Sequence, residues 1–387
     1  MKKTAGIHHI TAIVGHPQEN VDFYAGVLGM RMIKQTVNFD DPETYHLYFG
    51  NADGDPGTVI TFFPWAKSRQ GSIGDGQVGI TVYAVPAGSL SFWEKRLADY
   101  NIPFDKSTRF GETYLDFDDP HGLHLELVER EDGNNNPYSF NGVPSEHAIK
   151  GFAGAVLLTG APEETAAVVE KVMGLERIGQ EDDLIRFRSE AALGNTVDIK
   201  MTSVGAGVMG VGTVHHIAWR AKDEADHLDW LKHVTALGQH ATPVRDRNYF
   251  KALYFREKSG ILFEIASDSP GFAIDEPRET MGQKLMLPPQ YESRREALTA
   301  GHIPFEVRNV YTERIDLDES STYFQTRESG KAFAAVIAWH RRNRTRPVFL
   351  RRGDRSGSFL AGRARKRDRI RNEPLFPSFG RRCIRRK

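Results

Sequence analysis

The sequence has a single cysteine, Cys383, close to its end. A disulfide framework, a four-cysteine zinc site and a cysteine nucleophile in the main body are thereby excluded. No run of about 18 apolar residues occurs, so no membrane-spanning helix is expected. The start, Met1-Lys2-Lys3 followed by Thr4-Ala5-Gly6-Ile7-His8-His9-Ile10, reads as a strand and lacks a signal-peptide apolar segment. Together these absences predict a reducing, cytoplasmic setting. Net charge is missing too, with 51 Lys+Arg against 51 Asp+Glu in 387 residues. That balance is a sum of opposites: residues 341–387 hold 18 basic and 3 acidic side chains, a net of +15, and residues 1–340 carry −15.

The acidic body is rich enough in apolar residues (40% of the whole chain) to bury a sizeable core. It is also repetitive. Four segments open with an apolar strand, from Gly6, Val78, Phe152 and Val214, and each continues into a helix-period stretch around Val21–Gly29, Leu90–Leu97, Ala166–Gly174 and Leu228–Gly238. Two further strands follow, marked by Leu47-Tyr48-Phe49, Leu115-Asp116-Phe117, Ile185-Arg186-Phe187 and Leu253-Tyr254-Phe255, then a polar turn and a last strand. The repeating unit is βαβββ. Alignment of first strands matches His9, Gly79, Gly154 and His216, and alignment of last strands matches Thr61, Glu126, Asp198 and Glu264, at separations of 52, 47, 44 and 48 residues.

This grammar resembles the vicinal oxygen chelate superfamily of glyoxalase I, extradiol dioxygenases and bleomycin-resistance proteins, over about residues 5–300. The resemblance implies an α+β fold in which paired βαβββ modules form curved sheets with a metal on the concave face. The expected organisation is a first domain over 5–145, a second over 146–300, and a linker and disordered Arg-rich tail over 301–387.

In a half-buried strand alternate side chains share a face, so one histidine of each His-His-Ile triplet points into the sheet's concavity. The repeat selects His9 and His216. Glu264 is a lone carboxylate in the apolar strand Gly260-Ile-Leu-Phe-Glu-Ile-Ala, a placement that favours a cation beside it. If the first and fourth modules share a site, its four equivalent positions are His9, Thr61, His216 and Glu264. Two imidazoles and one carboxylate with open positions match the facial triad of non-haem Fe(II) oxygenases. The middle modules offer no imidazole at these positions, so no transition-metal site is expected there. His121 and His124, beside Glu126, are read as structural.

Longer motifs are more specific. Gly6-Ile-His-His-Ile-Thr, Tyr45-His-Leu-Tyr-Phe-Gly, Pro56-Gly-Thr-Val-Ile-Thr-Phe-Phe-Pro, Asp246-Arg-Asn-Tyr-Phe-Lys-Ala-Leu-Tyr-Phe-Arg-Glu and Leu262-Phe-Glu-Ile-Ala-Ser-Asp resemble the hydroquinone-cleaving ring dioxygenases. By that resemblance His9, His216 and Glu264 bind Fe(II), with Mn(II) the alternative metal, and His8, Thr11, His215, Arg247 and Tyr254 support catalysis. Arg247 and Tyr254 would hydrogen-bond a phenolate or bound oxygen, and His215 would move protons. The implied reaction binds a phenol through one deprotonated oxygen, inserts O2 into the ring and ends in a ring-opened semialdehyde or acid. The expected partners are a small aromatic substrate and O2, with no membrane; nucleic acid is not expected and a homo-oligomer stays open. Two other classes also stay open: a glyoxalase-like metal-dependent lyase, isomerase or thiol transferase, which would typically fill the position Thr61 leaves vacant, and a metal-free binding protein of the bleomycin-sequestering kind.

The basic tail has few periodic apolar residues, and disorder is its plain reading. Back-translation of Ala338-Trp-His-Arg-Arg-Asn-Arg, read from the second base, permits His-Gly-Thr-Gly-Gly-Thr, which resembles the oxyanion loop of α/β-hydrolases. The tail is therefore read as the frameshifted remnant of a hydrolase domain, with the slip between Lys331 and Ala338.

Overall fold

The structure is a computed structural model and describes residues 2–311; the tail reading lies outside these residues. Four βαβββ modules are present. The first holds β1 (Ile7–Val14), α1 (Pro17–Val21), β2 (Arg31–Asn38), β3 (Asp41–Gly50) and β4 (Val59–Pro64). The second holds β5 (Gln77–Val85), α2 (Leu90–Asp99), β6 (Phe104–Arg109), β7 (Glu112–Asp118) and β8 (His124–Glu129). The third holds β9 (Gly151–Leu158), α3 (Pro162–Ala167), β10 (Glu176–Glu181), β11 (Leu184–Arg188) and β12 (Thr196–Lys200). The fourth holds β13 (Thr213–Ala221), α4 (Glu224–Ala236), β14 (Arg245–Asp246), β15 (Phe250–Arg256) and β16 (Leu262–Pro270).

Local chemistry explains the helix ends. In α4, Asp223 accepts a hydrogen bond from the Asp226 N–H and caps a first turn that contains Glu224 and Asp226. Gly238, at φ 81°, then takes the left-handed conformation that stops the helix. α1 and α3 each begin with a proline in the first turn and pass directly into a single π-helical stretch, Asp22–Val27 and Val168–Val172.

The strands form two eight-stranded sheets, ordered β14-β15-β16-β13-β1-β4-β3-β2 and β10-β11-β12-β9-β5-β8-β7-β6. The first and fourth modules thus share one sheet and the second and third the other. The halves expected from chain order, 5–145 and 146–300, are each divided between the two sheets. β1 and β13, the middle pair of the first sheet, run antiparallel.

Period-two patterning decides which side chains go inside. Ile10, Leu47, Phe49, Ile60, Phe62, Ile217, Trp219, Leu253, Phe255, Phe263 and Ile265 share one face of the first sheet and join a core that includes Tyr24, Trp93, Val169 and Trp230 from the helical segments. Their strand neighbours, His9, Thr11, His46, Tyr48, Thr61, His216, Tyr254 and Glu264, point to the opposite, concave face.

The chain after β16 returns across the edge strand β2. Met286 donates its N–H to the Gln35 carbonyl at 2.8 Å, and the fully buried Lys34 pairs with Asp275 at 2.6 Å and with Glu276. This covers an edge that would otherwise offer free backbone groups. Residues 302–311, expected to begin a linker, pack onto the same body: Val310 is buried, and Arg308 pairs with Asp22 at 2.6 Å.

Candidate metal centre

Sheet register builds the site. In the antiparallel β1–β13 pair, His9 stands opposite Ala218 and Thr11 opposite His216. The parallel β13–β16 pairing sets Ala218 beside Glu264, and the β15–β16 pairing sets Glu264 opposite Tyr254. One turn of pseudo-symmetry therefore brings together three side chains far apart in sequence. His216 Nε2 lies 2.8 Å and His9 Nε2 3.5 Å from Glu264 Oε2, and the two Nε2 atoms are 3.3 Å apart. These three residues are buried, and their ligand atoms all lie within 4.8 Å of one another.

The donor set fits a cation. Glu264 is fully buried, yet neither carboxylate oxygen has a hydrogen-bond partner of proper geometry, and an uncompensated charge there would be costly. Burial pushes its carboxyl up, but the His9 and His216 imidazoles pull it back and hold it well below the usual carboxylate range. Burial also lowers His216, against the opposing pull of Glu264, and so favours the neutral ring that a metal ligand must be.

Each of these histidines leans on its neighbour. His8 Nδ1 is 2.9 Å from His9 Nδ1, and His215 Nδ1 is 2.8 Å from His216 Nδ1. His8 also bonds the Ser267 carbonyl. With its own proton given to that carbonyl, His8 accepts from His9 Nδ1–H, which leaves the His9 Nε2 lone pair facing the cluster. Burial lowers both His8 and His215 well below the ordinary histidine range.

Arg247 donates from Nε to the Tyr254 hydroxyl at 3.2 Å and pairs with Asp40 at 2.8 Å. Asp40 was no candidate from sequence, since nothing local ties it to a residue two hundred positions away. Thr11 bonds Thr61 at 2.7 Å, so the vacant fourth position is tied to its neighbour. His46, quoted within a motif but assigned no role, bonds Thr61 at 2.8 Å and lies within electrostatic reach of His9, His216 and Glu264. Its signal was its place two residues before Tyr48, the strand counterpart of Tyr254. Apolar rings close the surroundings: Phe250 is 5.0 Å from the His9 ring and Phe63 meets His215 edge-on at 5.7 Å, stacked in turn on Trp65.

The second sheet has no equivalent centre. Its register puts Val82 beside Glu126 and Val156 beside Asp198, as Thr11 and Ala218 stand beside Thr61 and Glu264. By that register Ile80, not Gly79, is the counterpart of His9, and the two sheets share an equivalent register shift, between Ile7 and His9 in one and between Val78 and Ile80 in the other. Guanidinium groups occupy the space between the carboxylates. Arg109 reaches Glu126 at 2.5 and 2.8 Å and Asp198 at 3.0 Å, and Arg186 holds Asp198 with two bonds of 2.7 Å. His124 pairs with Asp118 in an exposed position, and His121 accepts from the Gly15 N–H at 3.4 Å.

Paired βαβββ modules around one two-histidine, one-carboxylate cluster define a class, and sequence comparison agrees. The Glyoxalase/Bleomycin resistance protein/Dioxygenase superfamily model matches residues 6–127 and 151–265, and the chain belongs to that superfamily. Within it the chain falls with the ring-cleaving dioxygenases. It is 64% identical to the "Putative ring-cleaving dioxygenase MhqO" of Bacillus subtilis (strain 168) over 309 residues, covering 80% of this chain and 99% of that protein. It is 32% identical over 311 residues to the "Chlorohydroquinone/hydroquinone 1,2-dioxygenase" of Sphingobium indicum, covering 77% and 95%. A crystal structure of a "putative dioxygenase" from Bacillus subtilis subsp. subtilis str. 168 matches with a TM-score of 0.79 at 64% identity, over 80% of this chain and all of that one. Glyoxalase I from Zea mays, at 13% identity and a TM-score of 0.50, covers 68% of this chain and 92% of its own and shares the fold.

Proposed function

We propose that the protein is an Fe(II)-dependent dioxygenase that opens the ring of a hydroquinone or related phenol with O2. The observation that carries the reading is the convergence of His9, His216 and Glu264 in a buried cluster whose fourth equivalent position is Thr61. Two imidazoles and one carboxylate suit Fe(II) and leave positions for a phenolic oxygen and O2; Mn(II) is the alternative occupant. When bound, the metal supplies redox chemistry and lowers the acidity barrier of a phenol.

The chain's own residues do the rest. His8 and His215 orient the ligand rings through their Nδ1 contacts. Arg247 fixes the Tyr254 hydroxyl next to Glu264, where the phenol and guanidinium can hydrogen-bond charge that builds up on a ring oxygen. His215, neutral and accepting at Nδ1 from the His216 Nδ1–H, has no free lone pair of its own. Its part is to keep the Nε2 lone pair of His216 turned to the cluster rather than to take the phenol's proton. Phe63, Trp65 and Phe250 give the ring an apolar wall and keep water away.

A glyoxalase-like isomerase on the same cluster would work without O2. Protein loaded anaerobically with Fe(II) is therefore mixed with hydroquinones and O2 uptake is followed. Uptake with ring-opened product supports the reading; an O2-independent conversion, or a His216→Ala variant as fast as the parent, overturns it.

A further inference from the structure

On the first-module half of the concave face, four neutral polar side chains form one hydrogen-bonded line that holding a metal does not require. Tyr48 Oη is 2.8 Å from His46 Nδ1, His46 Nε2 is 2.8 Å from Thr61 Oγ1, and Thr61 Oγ1 is 2.7 Å from Thr11 Oγ1. Register accounts for the line. His46 and Tyr48 alternate on β3, Tyr48 stands opposite Thr61, Thr61 beside Thr11, and Thr11 opposite His216. The line starts next to a residue of the metal cluster and runs outward across three strands.

Its counterpart in the fourth module is built differently. Tyr254 stands where Tyr48 does and Glu264 where Thr61 does, but Ala218 replaces Thr11 and Ala252 replaces His46. One half of the face thus supplies charge, and the other a purely neutral hydrogen-bonding surface. Apolar residues of the same shape would hold the fold as well, since buried polar groups contribute little net stability even when paired. The His46 ring is clamped between Tyr48 and Phe63, with centroids at 4.2 and 4.5 Å. Register puts both His46 and Tyr48 on the same sheet face as the metal cluster.

Every group in the line both donates and accepts, so it has two polarities with the same number of bonds. In one, Thr11 donates to Thr61, Thr61 to His46 Nε2, His46 Nδ1–H to Tyr48, and the Tyr48 hydroxyl has a proton to offer. In the other the order reverses, and Tyr48 has a lone pair to offer. The two states differ in the tautomer of His46 and in three hydroxyl orientations, and both are neutral. Tyr48 and Thr11, the two ends, each make a single hydrogen bond within the line and keep valence to spare.

We propose that this line is the subsite for a second oxygen of the ring substrate. Tyr48, the end farther from the cluster, contacts the ring oxygen that is not on the metal. His46 is a positioning residue that lets Tyr48 donate to a ring oxyanion or accept from a ring hydroxyl. The inference rests on the ring-cleaving reading and deepens it: it makes a ring with two oxygens the preferred substrate class over a monophenol.

The test compares anaerobic binding of hydroquinone and 4-methylphenol to the Fe(II)-loaded full chain, followed by tryptophan fluorescence, to which Trp65 on the site wall contributes. Loss of one matched hydrogen bond shifts a dissociation constant by about tenfold at most when the group is neutral. In Tyr48→Phe the ratio of the two constants should move about tenfold toward 4-methylphenol. His46→Phe should move it as far, and His46→Gln, which keeps a donor and an acceptor, should restore part of the preference. An unchanged ratio in Tyr48→Phe, or equal weakening of both ligands, overturns the inference. Should the parent open hydroquinone while Tyr48→Phe keeps its preference, this inference alone fails; should the parent neither bind nor open either compound, the ring-cleaving reading fails with it.

Discussion

Acid should unfold the metal-free protein at a milder pH than its carboxylates require, and the reason is the burial of imidazoles around the site. Burial holds His8, His46 and His215 well below the ordinary value of 6.5. In the unfolded chain the same rings titrate near that value, so as pH falls the unfolded state binds three protons that the folded state refuses. Because the folded values are depressed, this contribution to stability is complete above about pH 6.5 and is lost as pH falls below it. Each ring is worth about 1.4 kcal/mol per pH unit, so three set a limiting slope of about 4 kcal/mol per unit. Integrated from pH 6.5 to 5, the loss is about 5 kcal/mol, comparable with the whole stability of a marginal domain. Urea denaturation of chelator-treated protein at pH 7.5, 6.5, 5.5 and 5.0 measures it directly. A stability that changes by less than about 1 kcal/mol across that range would refute the argument, because rings that titrate normally in the folded state contribute no such slope. Replacing His8 with Asn should flatten the dependence by one ring's share.

Three further outcomes test the site and its neutralised counterpart. Glu264→Gln removes the only anionic ligand, and equilibrium dialysis should show Fe(II) affinity down by more than about a hundredfold, the upper end for loss of even a supporting residue; an unchanged affinity places the metal elsewhere. Thr61→Glu puts a second carboxylate at the register counterpart of Glu264, so it should bind divalent metal more tightly while O2 uptake with hydroquinone collapses; undiminished uptake would show that Thr61 does not face the open position. Arg109→Met leaves Glu126 buried without its guanidinium partner, and chemical denaturation should register a loss of about 3–5 kcal/mol, the usual result of breaking one side of a buried pair; a change under about 1 kcal/mol would mean the carboxylate takes up a proton at little cost.

Much of the molecule was legible from residue order because much of it is local. Strand alternation and helix punctuation produced the four modules, and Gly29, Gly174 and Gly238, which close three of the helix-period stretches, stop their helices in a positive-φ conformation. Two His-His-Ile triplets and a carboxylate stranded among apolar residues marked His9, His216 and Glu264, since period two sends one histidine of each pair to the same face. What was missed depends on through-space neighbours. His46 gains meaning only when β3 lies two strands from β1, and Asp40 only when the first module's hairpin reaches Arg247 in the fourth. Gly79 was matched to His9 because an Ile-Thr pair follows both, whereas the strand register sets Val82, not Thr81, in the place of Thr11.

The sequence by itself determined which residues become strands, which strand face is apolar, and which three side chains are chemically suited to hold a metal. These follow from backbone sterics and from a two-residue period that acts over a few positions. Only the tertiary structure decided that modules one and four share a sheet, that the second sheet closes its carboxylates with Arg109 and Arg186, and that the chain beyond β16 seals the β2 edge through Lys34. The physical reason is range. The β1–β13 pairing joins segments about two hundred residues apart, and every module has strands able to make such a contact. The choice among them is made by the burial of a common core, which does not exist until the sheets have formed.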